Sequence, residues 1–177
     1  MNMSIVGKLE DLAKGERLYS ARFVGDRCYL VTFRQIDPFF VIDITDPTQP
    51  NVLGYLKIPG FSGYLHPYDE NHIMGIGKED NNVKLSLFDV SDVSNPTEQA
   101  KYLVDADWSD STVLWDSKAF LFEKSKQLLA IPVSINTYRT LVPGTFWQGA
   151  YIFNVSHVLS CKGKLQNLVL FFLIIYN

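Results

Sequence analysis

The side chains on which this chain could base chemistry are Arg34, Asp37, His66, Asp116, Lys118, Tyr138 and Trp147. Arginine and lysine offer donors to carboxylate or phosphate groups, histidine donates or accepts near neutral pH, and a loop tryptophan can stack on a sugar or anchor a partner. None of them belongs to a nucleophile or phosphate motif: the sequence has no Gly-x-Ser-x-Gly elbow, no His-Glu-x-x-His helix and no Gly-rich phosphate cradle. Asp105, Asp107, Asp110 and Asp116 crowd one segment and invite a calcium reading. Their spacing lacks the central glycine and terminal glutamate of an EF-hand, so they read as solvated loop carboxylates. His66, His72 and His157 are too scattered for a zinc site. No metal or other cofactor is expected, and the chemistry on offer is recognition rather than turnover.

A repeat is what must position residues as far apart as 34 and 147. Phe40-Val41-Ile42-Asp43-Ile44-Thr45-Asp46-Pro47-Thr48-Gln49-Pro50 returns as Leu87-Phe88-Asp89-Val90-Ser91-Asp92-Val93-Ser94-Asn95-Pro96, an offset of 46 residues, and returns in part as Tyr151-Ile152-Phe153-Asn154-Val155-Ser156. Self-similarity at roughly 40–45 residues marks the four-stranded blades of a β-propeller. In the first unit strands A to D read as Tyr19–Val24, Cys28–Phe33, Phe39–Ile44 and Val52–Ile58, with turns at Gly25-Asp26, Asp37-Pro38 and Asp46-Pro47. The second unit reads Tyr64–Tyr68, His72–Gly77, Val83–Val90 and Glu98–Leu103, and the third Lys118–Phe122, Leu128–Val133 and Gly149–Val155. Between the last two strands the connection swells to Ser134–Gln148, and long loops in compact domains tend to be functional.

Val6-Gly7-Lys8-Leu9 resembles Leu53-Gly54-Tyr55-Leu56, so the chain opens on what reads as a D strand. The fold class is thus all-β: a β-propeller of about three four-stranded antiparallel blades, near 18–58, 64–104 and 115–156, with a leading strand at 5–9 and an apolar tail at 157–177 that reads either as a further strand or as a non-native extension. Three blades fall short of the roughly four to eight that close a ring, which makes this an incomplete propeller. Strand direction reverses at each turn, so B–C and D–A loops share one face. That face gathers Arg34 and Asp37, Lys78 to Asn82, Ser134 to Gln148, Pro59 to Gly63 and Asp105 to Asp116. His66 and Lys118 are expected near the start of their A strands, beside the same face. The recurring Asp43, Asp89 and Asn154 read as turn caps, and Trp108 and Trp115 as packing between blades. Trp147 is the exception, a loop aromatic free to stack.

Bulk composition narrows the function classes. At 177 residues, 47% hydrophobic and 14% aromatic, the chain can bury a core. A net charge of −3 without runs of like charge leaves no electrostatic footprint for nucleic acid or an anionic membrane. Leu168 to Tyr176 is apolar throughout but about half the length a spanning helix needs. Cys28 and Cys161 have no metal-ligand spacing, and Cys28, beside Tyr29 and Leu30, reads as a buried thiol. No basic flank and apolar run at the N-terminus marks a signal peptide.

The first repeat resembles that of propellers with a Leu-Val-Ile-Val-Asp motif followed by a Ser-Asp-Pro turn. Wider stretches are closer still: Gly15 to Arg27, Val31 to Pro38, Leu56 to Ser62, Val83 to Ser91, Lys118 to Phe122 and Gln148 to Ser156 resemble the secreted C-terminal β-propeller domain family of archaea and bacteria, distantly related to WD40 repeats. That resemblance implies a propeller fold and a secreted or cell-surface location, with no established activity. Ser117 stands where the family tends to carry histidine, and after Ser156 the resemblance stops. Three roles remain open: a non-catalytic module binding a protein or cell-surface ligand, part of an extracytoplasmic enzyme with a site near Arg34, His66 and Lys118, or an inactive fragment. Exposed blade edges also predict self-association.

Overall fold

Alternation of apolar and polar residues, β-branched and aromatic content, and turn residues every eight to twelve positions make each repeat unit fold on itself as an antiparallel sheet. A computed structural model describes residues 3–33, 37–139, 142–156 and 158–166. The first sheet runs in order β1 (Arg17–Val24), β2 (Arg27–Phe33), β3 (Asp37–Asp43) and β4 (Asn51–Ile58). The second runs β5 (Phe61–Pro67), β6 (His72–Glu79), β7 (Asn82–Asp89) and β8 (Thr97–Leu103). In the third, β10 (Leu121–Glu123), β11 (Leu128–Arg139), β12 (Val142–Val155) and β13 (Leu159–Leu165) pair in sequence order, and β9 (Trp108–Asp110) adds to β11. Three antiparallel sheets without closure constitute an incomplete β-propeller.

The third unit departs from expectation in two ways, and the segment after it takes the further-strand alternative. The segment Lys118–Phe122 is not one strand: Ser117–Ala119 forms a 3-10 turn, capped where Asp116 Oδ1 accepts from the Lys118 amide at 3.0 Å, and strand pairing begins only at Leu121. Ser134–Gln148 is no open loop either. β11 and β12 continue as a hairpin arm with pairing from Ser134↔Gln148 out to Arg139↔Val142, and β9 joins through Ser134↔Asp110 to Asn136↔Trp108. Polar β-branched residues suit such an arm, whose Thr137 and Thr145 hydroxyls meet at 2.9 Å. Finally, the segment after Ser156 supplies β13 as a fourth strand.

Apolar faces pack sheet against sheet. Tyr29, Val31, Phe39 and Val41 meet Leu65, Ile73, Phe88 and Val90 between the first and second sheets, with Phe39 and Phe88 stacked at 4.4 Å. Met74, Ile76, Leu85 and Leu87 meet Leu129, Ile131, Tyr151 and Phe153 between the second and third. On the opposite flank of the first sheet Cys28, Phe40 and Ile42 form a smaller cluster with Leu12, Ala13, Leu30 and Ile44.

The repeated aspartates act as expected in two of three copies. Asp43 Oδ1 accepts from the Thr45 amide at 2.9 Å and hydroxyl at 2.6 Å, and Asp89 Oδ1 accepts from the Ser91 amide at 2.8 Å. Asn154 does not cap the turn after it; its amide donates across the sheet to the Gln127 carbonyl at 3.5 Å. An amide nitrogen supplies a donor where aspartate can only accept.

Candidate functional site

Of the expected ligand-facing residues, His66, Asp116, Lys118, Tyr138 and Trp147 have described side chains. Arg34 and His157 lie outside the described residues, and Asp37 begins β3 opposite Ile58 with its side chain outside them as well. Asp116 spends a carboxylate oxygen on the Lys118 backbone, and the Lys118 side chain is exposed. Tyr138 is exposed on the hairpin arm, where its amide donates to Asp107 Oδ2. Trp147 is not a free loop aromatic. It sits half-buried in β12, edge-on to Tyr151 at 5.6 Å and against Gly149.

His66 occupies the other end of the sheet from the one expected. Gly60, at φ 84°, turns the chain from β4 into β5 within two residues, because a side chain there would strike the Lys78 carbonyl. The strand therefore starts at Phe61, and His66, paired with Met74 near the beginning of β6, stands by the A–B turn. There it is part of a cluster. Its Nδ1 lies 3.1 Å from the Tyr64 hydroxyl, and its ring is 4.6 Å from Phe120 and 5.8 Å from Phe122. Arg22 on β1 bears electrostatically on both Tyr64 and His66. Burial, then the Arg22 charge, hold the His66 pKa below the ordinary histidine value, while burial raises that of Tyr64 against a smaller opposing effect of Arg22.

Arg22 and Tyr64 are the functional candidates that the sequence did not single out. The available signal was a charged residue in step with Ser20 and Val24 on the half-buried face of β1. β1 is held against β5 by the Ser20 hydroxyl, which donates to the Ser62 carbonyl at 2.7 Å, and this places the guanidinium beside the second sheet. At the same end of the molecule a hollow of about 480 Å³ is lined by Asp69, Glu70, Asn71, His72 and Lys124. His72 Nδ1 lies 2.7 Å from Asp69 Oδ1. Burial alone would raise the Asp69 pKa, but the His72 and Asn71 contacts outweigh it and leave it lowered.

Among the carboxylates that suggested calcium, Asp107 takes the Tyr138 amide and Asp110 Oδ1 accepts from the Ser111 amide at 2.9 Å and stands 4.0 Å from Lys78 Nζ. Each is thus engaged in holding β9 and the hairpin arm. Lys78 also lies 5.2 Å from the Trp108 ring, which ties the second sheet to that arm. Among the described residues no helix is long and apolar enough to cross a membrane.

Residues 3–10, ahead of the first sheet, join no strand ladder among the described residues. They lie across its outer flank. Gly7 is pressed onto the Pro47 and Thr48 backbone, just as Gly54 of β4 is pressed onto the Val93 and Ser94 backbone of the second sheet. Between the segment and the flank lies a cavity of about 380 Å³ lined by Leu9, Phe23, Leu30, Ile42 and Ile44 among others.

The sequence profile of the beta propeller domain family matches residues 1–170. The chain belongs to the beta propeller domain family. This beta propeller domain is 46% identical over 136 residues to an uncharacterized protein of Archaeoglobus fulgidus, and 45% identical over 138 residues to an uncharacterized protein of Methanocaldococcus jannaschii. Each match covers 77% of this chain and 22% of the relative, so the beta propeller domain chain spans about a fifth of the length of these curated relatives.

Proposed function

We propose that this chain is a non-catalytic binding scaffold that engages protein, a second copy of itself included, by β-sheet association on the free flank of its first sheet. The observation that carries the reading is the equivalence of Gly7 and Gly54. Gly54 belongs to the outermost strand of one blade and packs on the C–D turn of the next; Gly7 packs on the equivalent turn one repeat earlier. Residues 3–9 therefore stand in the place of an outermost strand whose own sheet is not present within the described chain. Met3, Ile5, Val6 and Phe23 are exposed around it, and an unpaired strand over an apolar flank is a template for another strand. Tyr138 and Phe146, both exposed on the hairpin arm, offer a second surface for a protein or cell-surface ligand. A secreted or cell-surface location belongs to the same proposal and rests on the family resemblance; antibody accessibility on intact host cells tests it.

Light scattering tests the association. The expected result is a dimer that dissociates in Phe23→Asp, which places a charge on the flank, and in Ile5→Pro, which removes a ladder donor from an exposed extended segment. A wild-type chain that stays monomeric at high micromolar concentration, or a dimer that neither variant weakens, overturns the reading.

A further inference from the structure

We infer that the innermost strands of the first two sheets form a carboxylate-binding site from Arg22, Tyr64 and His66. The site is distinct from the free flank of the first sheet and from the loop-bearing end on which the sequence placed its candidates.

Three observations converge on it. Arg22 Nε is buried and has no hydrogen-bond partner. A buried donor without an acceptor is costly, and a guanidinium is the donor whose planar fork matches the two oxygens of a carboxylate. Next, the Tyr64 hydroxyl lies 3.1 Å from His66 Nδ1. With the hydroxyl donating to Nδ1 of a neutral imidazole, Nε2 carries the hydrogen and becomes a further donor. Finally, the two influences on His66 are burial and the Arg22 charge, and both oppose its protonation. A carboxylate of this chain seated at the ring would do the reverse.

The cluster is therefore rich in donors and poor in acceptors. Phe120 and Phe122 wall one side of the imidazole, which lowers the local dielectric and strengthens a charge-assisted bond there. Phosphate needs more positive charge than one guanidinium and a neutral histidine supply, whereas a single planar carboxylate is matched in charge and shape. The carboxylate can come from a small free acid or from an acidic side chain of a bound protein, and the two arms of the experiment separate these sources.

The probes are sodium acetate and a tripeptide with one central glutamate and both termini blocked, titrated against the intact chain while the His66 ring signals are followed by NMR. The expected result is a saturable shift of those signals, with affinity falling tenfold or more in Arg22→Gln, a loss of the size that follows from removing one charge-assisted bond. Arg22→Lys keeps the charge but not the fork, so it binds more weakly than the parent and still folds if Arg22→Gln does not. Saturation by acetate alone assigns a free acid, and tighter binding of the peptide assigns a protein carboxylate. The inference is overturned if neither probe saturates, if the Arg22 variants bind as the parent does, or if chloride at equal concentration produces the same shift. Loss of dimerisation at the flank leaves this test untouched, because none of the three residues belongs to that surface.

Discussion

Replacing Lys84 measures how firmly the first two sheets are joined. The side chain is fully buried on β7, its Nζ donates to the Pro59 carbonyl in the turn between the sheets, and Glu79 and Glu98 lie 3.7 and 3.6 Å away. Removing one partner of a buried ion pair costs about 3–5 kcal/mol, because the other is left uncompensated. Here the carboxylates are not abandoned: Glu98 still accepts from the Ser86 hydroxyl at 2.7 Å, and both oxygens of Glu79 still accept from Lys101 at 3.0 Å. Lys84→Ala should then fall at the low end, about 3 kcal/mol. Lys84→Met fills the channel of the aliphatic stem but loses the bond to Pro59 and the charge beside both carboxylates just as Lys84→Ala does, so only the cavity is spared and about 2–3 kcal/mol is expected. Urea denaturation at fixed protein concentration reads both as shifts of midpoint at unchanged slope. A cost below about 1 kcal/mol for Lys84→Met, which removes the charge but keeps the packing, would refute the argument that a buried charge sets the energetics of this junction.

Gly77→Ala should cost about 3 kcal/mol by the same measurement, because its Cβ would be driven into the Phe61 backbone, whereas Gly163→Ala, with open space around it, should stay within about 0.5 kcal/mol. Phe88→Ala removes a fully buried ring stacked on Phe39 and should cost about 3–5 kcal/mol. The Asp43, Asp46 and Asp92 carboxyls are held below the ordinary aspartate value, chiefly by side-chain hydrogen bonds from Thr45, Thr48 and Asn95. A depressed folded-state value means that their stabilisation is fully present above about pH 4 and is lost as pH falls through the folded-state values, so acid titration of the unfolding midpoint should show a decline that Asp43→Ala makes shallower.

The strand order of the first two sheets was legible because the strands are short and rich in β-branched and aromatic residues and the punctuating residues are local: Asp46-Pro47, Gly60 and Asp69 to Asn71 act on their own neighbours. The hairpin arm was not legible as structure. Its strands carry Ser134, Asn136, Thr137 and Thr145, whose polarity resembles a loop, and the pairing of β9 onto β11 depends on tertiary placement that spacing cannot express. His66 joins a polar cluster, but its position was misread because β5 begins three residues earlier than the strand read from the sequence. Arg22 escaped notice because a single arginine within a strand carries no motif. Its meaning comes from Tyr64 and His66, some forty residues away in the chain.

β13 has a further consequence. Its residues, Leu-Ser-Cys-Lys-Gly-Lys-Leu, share little with Val52–Ile58 or Thr97–Leu103, yet it completes the third sheet in the same position. An outermost strand needs only backbone donors and acceptors for its ladder and one thin apolar face, whereas the three strands inside it must also fit a neighbouring blade. Blade architecture of this kind separates a part that inheritance must preserve from a part that it can rewrite, and recombination at the blade margin can join unrelated sequence to a propeller without dismantling it.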